Sequence, residues 1–103
     1  MIKASVIHPY SEGKGFDMKY YCEKHMPMVK QKLDRCCKSI AVEQGITGRA
    51  PGTTPTYVAM RHTYCESVEA FRAAFGPHAA EFRAAMPNFT AIQPIFQISE
   101  VKI

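Results

Sequence analysis

Four stretches of this chain alternate apolar and polar residues, and between them lie two segments whose apolar residues recur at helical spacing. That order is the strongest constraint on its fold. In "IKASVIH", Ile2, Ala4, Val6 and His8 share one side and Lys3, Ser5 and Ile7 the other, the pattern of a half-buried strand. "KSIAVEQ", residues 38–44, alternates again with Ile40 and Val42 on one side. "TYVAMRHTYC" sets Val58, Met60, His62 and Tyr64 against Tyr57, Ala59, Arg61 and Thr63. The last strand lies in "IQPIFQISEVKI", with Phe96 and Ile98 opposite Gln97 and Ser99. Pro94 lacks an N–H, so this strand is expected at a sheet edge or starting close to that residue.

The segments between read as helices. Asp17 is a good N-cap, and Tyr21, His25, Met28, Val29, Leu33 and Cys36 follow at helical spacing. Pro27 removes a donor and crowds the carbonyl of Glu23, so a kink or a restart is expected just past His25. Ser67 caps a second helix with the apolar stripe Val68, Phe71 and Phe75. "GPH" at 76–78 breaks it and opens another, and "MPN" at 86–88 stops that one. Between the second and third strands, "GITGRAPGTTP" is a loop. The order βαββαβ predicts an α+β, ferredoxin-like fold in a single domain spanning 1–103: a four-stranded antiparallel sheet with the helices on one face.

The other face would carry Tyr57, Ala59, Ile7, Ala41 and Ile95 among Lys3, Arg61, Ser39, Gln97 and Ser99. Such a mixed face is compatible with solvent or with a second copy packed sheet to sheet.

Composition excludes several classes. The net charge of +4 is spread along the chain, and the one locally basic stretch, Lys30 to Lys38, reads as a solvated helix face and not as a nucleic-acid site. No apolar run approaches the ~20 residues of a membrane span, and the N-terminal stretch lacks a signal-peptide core; both point to a cytoplasmic protein. Cys22, Cys36, Cys37 and Cys65 have no zinc-site or C-x-x-C spacing and read as reduced thiols. Cys65 would be a nucleophile only with a base beside it.

The histidines carry the functional expectation. With strand order 4-1-3-2 and the central strands one and three running parallel, His8 and His62 lie near the same end of the sheet and point toward the helices. His25 lies about 12 Å along its helix from Asp17 and His62 about 7 Å from its strand end, at 1.5 Å and ~3.3 Å per residue. His8, His25, His62, Tyr21 and Tyr64 would then converge on one pocket, with His78 closing it. Each has a plainer alternative: His8 facing solvent, His62 bonded to backbone in the core, His78 structural. A neutral imidazole in an apolar cleft suits a general base. A metal site from His25, His62 and His78 is a weaker alternative.

The element formed by Phe16, Asp17, Tyr20, Tyr21, His25 and Pro27, with "SVEAFRAAFGPHAAEF" at 67–82 and "NFTAIQPIFQISEV" at 88–101, resembles the EthD family, named for ethyl tert-butyl ether degradation. The resemblance covers nearly the whole chain. It implies a dimeric α+β barrel, hence a homodimer, and a catabolic context without a cofactor. It carries a site role onto Tyr20, Tyr21 and His25, and onto Phe75 and His78; the cysteines are no part of it. Two functions follow. One is a cofactorless enzyme, an oxidoreductase of monooxygenase type or an isomerase or lyase. There His25 and His62 with Tyr21 act on a small apolar or aromatic metabolite held by Tyr20, Tyr64, His8, Phe75 and His78. The other is a non-catalytic protein that binds such a metabolite.

Overall fold

A computed structural model describes residues 1–103. Strands β1 (Ile2–Pro9), β2 (Ser39–Gln44), β3 (Tyr57–Cys65) and β4 (Ile95–Glu100) form one sheet in the order β2-β3-β1-β4. Every pairing is antiparallel. β4 begins directly after Pro94 and lies at an edge, where the missing N–H costs no ladder bond.

The central pair corrects one expectation: β1 and β3 run antiparallel, not parallel. The reason is connectivity. The helical crossover returns β2 parallel to β1, and the loop at residues 45–56 then sends β3 back between them. A Cβ on Gly45 would collide with the backbone carbonyl of Tyr57, so only glycine fits where that loop leaves β2.

The helices pack on one face. The first helical run joins α1 (Met18–Tyr20), a π turn (Tyr21–His25) and α2 (Met26–Leu33). The second joins α3 (Val68–Phe75), a 3₁₀ turn (Gly76–His78), α4 (Ala79–Ala85) and a 3₁₀ turn (Met86–Asn88). Both start on their expected caps: Asp17 Oδ1 accepts from Tyr20 N at 3.0 Å, and Ser67 Oγ from Ala70 N at 3.1 Å. Val29, Leu33, Met26, Tyr21, Phe82 and Phe89 form the buried cluster between the layers. Burial of each large side chain contributes roughly 1.5–3 kcal/mol.

Register fixes the faces. Opposed residues of an antiparallel pair share a face. Val6 stands opposite Arg61 and Phe96, His8 opposite Ala59, and Ala4 opposite Thr63 and Ile98. Ala59, Arg61, Thr63 and Cys65 therefore lie on the helix-covered face. Val58, Met60, His62 and Tyr64 lie on the open face with Lys3, Ser5 and Ile7. β1, β2 and β4 present the expected faces; β3 is turned over relative to expectation.

Candidate functional site

Pro27 explains the local backbone around His25. In a straight α-helix its ring would press on the carbonyl of Glu23. Instead the preceding turn widens: the N–H of Met26 donates to the carbonyl of Tyr21, five residues back, while φ and ψ stay helical on both sides. The expected kink is thus a π turn inside a continuous helical run. It faces Tyr21 and His25 to the core, 2% and 6% exposed, with their rings stacked at 5.3 Å and 17°. Phe89 packs on both, its ring 4.8 Å from Tyr21 and 4.6 Å from His25. Phe89 is held there because its carbonyl accepts from Asp17 N at 2.8 Å, while Thr90 Oγ1 donates to the Gly15 carbonyl at 2.8 Å.

A cavity of about 320 Å³ opens between this helical run, α3, α4 and the β1–β4 side of the sheet. His8, Tyr21, His25 and Arg61 form its polar wall; Phe75, Phe82, Met86 and Phe89 form much of the apolar one. Arg83, Gln93 and Phe96 also line it. A volume of this order matches a small organic ligand.

Several of its polar atoms are unpaired. His8 Nε2, His25 Nδ1 and Arg61 Nε are buried with no hydrogen-bond partner. Burial, then the Arg61 charge, lowers the pKa of His8 to about 4; the same two causes, with a smaller push from His8, bring His25 to about 4. Both rings are neutral at pH 7. Burial raises the Tyr21 pKa, partly offset by Arg61, so its phenol stays protonated. Burial also lowers the pKa of Arg61.

The structure brings together His8, His25, Tyr21 and Phe75 from the expected set, and His8 is buried at 2% exposure and not in solvent. It does not bring in His62, Tyr64, Tyr20 or His78. His62 sits on the open face, where Nδ1 meets Ser5 Oγ at 2.7 Å and Nε2 meets Glu43 Oε1 at 3.3 Å. Its place in a shared pocket with His25 fails because β3 has the opposite parity. Tyr64 lies on that same face, opposite Lys3 and Ser39. Tyr20 packs, half-buried, against the core cluster. His78 lies outside the cavity lining, its ring 5.9 Å from Phe82.

Arg61 is the site residue that sequence reasoning missed. Its parity partner Cys65 carried a usable signal, since free cysteine is among the most buried residue types. Cys65 is fully buried, its Sγ 2.9 Å from Cys36 Sγ, and its thiol is pushed up to about 12 by burial and then by Cys36. A thiol so hard to ionise is no nucleophile. No group of three His, Cys, Asp or Glu side chains is placed to hold a metal ion, so His25, His62 and His78 do not form the trio considered above.

The EthD domain family matches residues 14–93. An EthD-like protein from Ralstonia eutropha JMP134 is 47% identical over 99% of this chain and 92% of its own, with a TM-score of 0.95. An ethyl tert-butyl ether degradation family protein from Bacillus halodurans C-125 is 16% identical, covers 99% of both chains and has a TM-score of 0.68. A Bordetella bronchiseptica protein named for antibiotic biosynthesis monooxygenases shares the fold at 15% identity and a TM-score of 0.63, over 99% of this chain and 96% of its own. No curated protein matches the chain. The domain match spans most of the sequence and the Ralstonia protein aligns almost end to end, so this chain belongs to the EthD family.

Proposed function

We propose that this protein is a small, cofactor-independent catabolic enzyme that binds an apolar or aromatic metabolite and uses His25 as its general base. The observation that carries the reading is the juxtaposition of a buried neutral imidazole, stacked on a protonated tyrosine, with an apolar cavity large enough for a substrate. His25 would take a proton from carbon next to a carbonyl, with Tyr21 donating to the developing enolate oxygen. The carbanion is then reprotonated at another carbon, as in an isomerase, or expels a β-leaving group that takes up the proton held by His25, as in a lyase, or passes its electrons to molecular oxygen, as in a cofactorless monooxygenase, one oxygen atom entering the product as a carbonyl and the other leaving as water. His8 replaces His62 as the second imidazole of the site. The fold shared with a protein named for monooxygenases is compatible with the oxidative branch.

The open face supports a homodimer. Ile7, Met60, Ile95 and Tyr57 lie on it or at its margin, with Ile95 51% exposed, and a second copy packed sheet to sheet would cover them. No helix is long and apolar enough to cross a membrane, in keeping with a cytoplasmic protein.

A second reading has its own support. Eight of the 14 residues lining the cavity are hydrophobic, and an imidazole with a pKa near 4 is a weak base, so the same cavity suits a metabolite-binding protein without chemistry. The test is His25→Ala on a folded protein whose turnover substrate has been found by screening enolisable aromatic ketones and phenols. Loss of turnover by about 10²-fold or more supports the base. Normal turnover removes His25 from the chemistry; a screen that yields only compounds bound but not turned over, with His25→Ala changing their affinity alone, supports the binder.

A further inference from the structure

Arg61 is a charged side chain in a place built for none. It is 7% exposed, on a central strand, between Val6 on β1 and Val42 on β2. It takes part in none of the four ion pairs of the structure. Its one side-chain contact of hydrogen-bonding type is Nη1 to the thioether of Met26 at 3.9 Å, and Nε has no partner. A buried guanidinium left this way costs several kcal/mol unless an anion joins it.

The rest of the cavity repeats the message. Its charged and titratable lining groups are His8 from β1, Tyr21 and His25 from the π turn, Arg61 from β3 and Arg83 from α4. No aspartate or glutamate is among them. No carboxylate in the wall competes with an incoming anion, while the aromatic wall disfavours small hydrated ions.

From this we infer that the cavity is a receptor for an organic oxyanion, a carboxylate or a phenolate on an apolar or aromatic body, with Arg61 as the residue that binds its charge. This deepens the proposed function by naming the ligand class, and it rests on the same cavity, though not on His25 acting as a base. The fork of the guanidinium suits two oxygens of a carboxylate or the single oxygen of a phenolate or enolate. A bound anion would also cancel the repulsion that Arg61 exerts on His8 and His25. That repulsion is the smaller of the two main causes of their lowered proton affinity; burial, the larger, would remain.

The test compares matched probes on the full chain. Benzoate is set against benzamide, and 4-nitrophenolate against nitrobenzene, by calorimetry, with the absorbance of nitrophenol reporting its ionisation. One charged probe of either pair is expected to bind at least about tenfold tighter than its neutral match, which corresponds to a charge-assisted hydrogen bond. A preference in the first pair alone identifies a carboxylate site. In the second pair the bound nitrophenol is expected to ionise at a lower pH than the free one, which identifies a phenolate or enolate site. R61M should abolish the preference and R61K should keep its sign at reduced strength. Should R61M fail to fold, the wild-type probe pairs and R61K decide alone. Equal binding of charged and neutral members, absence of binding by every probe at millimolar concentration, or an unchanged preference in folded R61M overturns the inference. His25→Ala separates it from the base assignment, since that variant should keep the anion preference while losing turnover.

Discussion

The two faces of the sheet treat histidine in opposite ways. On the open face His62 has a partner at each ring nitrogen, Ser5 on one side and Glu43 on the other. On the covered face His8 and His25 each leave a buried nitrogen unpaired, and Arg61 beside them has no counter-ion. A protein interior normally satisfies such groups. The contrast therefore separates a histidine bonded at both ring nitrogens from two histidines and an arginine that each bury a nitrogen with no hydrogen-bond partner in the chain. Paired polar groups stabilise a fold; unpaired ones in a cavity cost stability and are available to a ligand.

The largest expected effect that sharpens this contrast is in acid. Burial and the Arg61 charge hold His8 and His25 at a pKa of about 4 when folded, against the ordinary imidazole value of about 6.5 when unfolded. Above about pH 6.5 both are neutral in either state and impose no penalty. As pH falls from 6.5 toward 4, the unfolded chain takes up protons that the folded one refuses, and stability drops by up to roughly 3 kcal/mol per ring. Below about 4 these two groups add no further slope. Urea midpoints measured across that window should fall with acid, and His8→Phe should remove a large part of the decline. An identical decline in His8→Phe would break the comparison on that side.

Next is R61M without ligand. Removing an uncompensated buried charge and filling its space with an apolar chain should raise stability by about 1–4 kcal/mol, read as a higher denaturant midpoint. A loss of stability would mean that the guanidinium is paired in a way that strengthens the empty fold.

His62→Ala should behave in the reverse sense. It strips the buried Ser5 hydroxyl of its partner and should cost about 1–3 kcal/mol, while affinity for a cavity ligand changes less than about twofold. A large change in cavity binding would join the two faces and dissolve the distinction. The smallest effect lies outside both faces: Asp34 follows α2 at φ 49° and ψ −125°, a region that favours glycine. Asp34→Gly should relieve about 1 kcal/mol of strain and raise the melting temperature slightly, with no effect on the cavity.

Much of this molecule was legible from its letters. Alternation in β1, β2 and β4, the caps at Asp17 and Ser67, the edge role of the strand after Pro94 and the disturbance at Pro27 are local signals, and each has a local cause. The family element around Tyr21 and His25 led to one wall of the cavity. What was read the wrong way was the parity of β3, for which Cys65 was the one contrary signal. Its two sides are nearly matched, with Val58, Met60 and Tyr64 outwardly more apolar than Ala59, Arg61 and Thr63. A loop of residues 45–56 places no restriction on which side faces in. Burial there is decided by the room left under the helices, which the small side chains of Ala59, Thr63 and Cys65 fill beside Arg61. The error moved His62 and Tyr64 into the site and kept Arg61 out. The meeting of Cys36 with Cys65, 29 positions apart in sequence, was likewise a product of tertiary packing.

The widened turn at Tyr21–His25 also limits how this segment can diversify. It holds one more residue per bonded ring than an α-helix does. Deleting any of Cys22, Glu23 or Lys24 would wind the chain back to ordinary pitch and swing everything before it by about 100° against Met26–Leu33. Either the cap at Asp17 would lose its amides or the imidazole would swing out of the hollow. These three solvent-facing positions can therefore change identity freely, but their number is pinned by the need to deliver one ring to one spot.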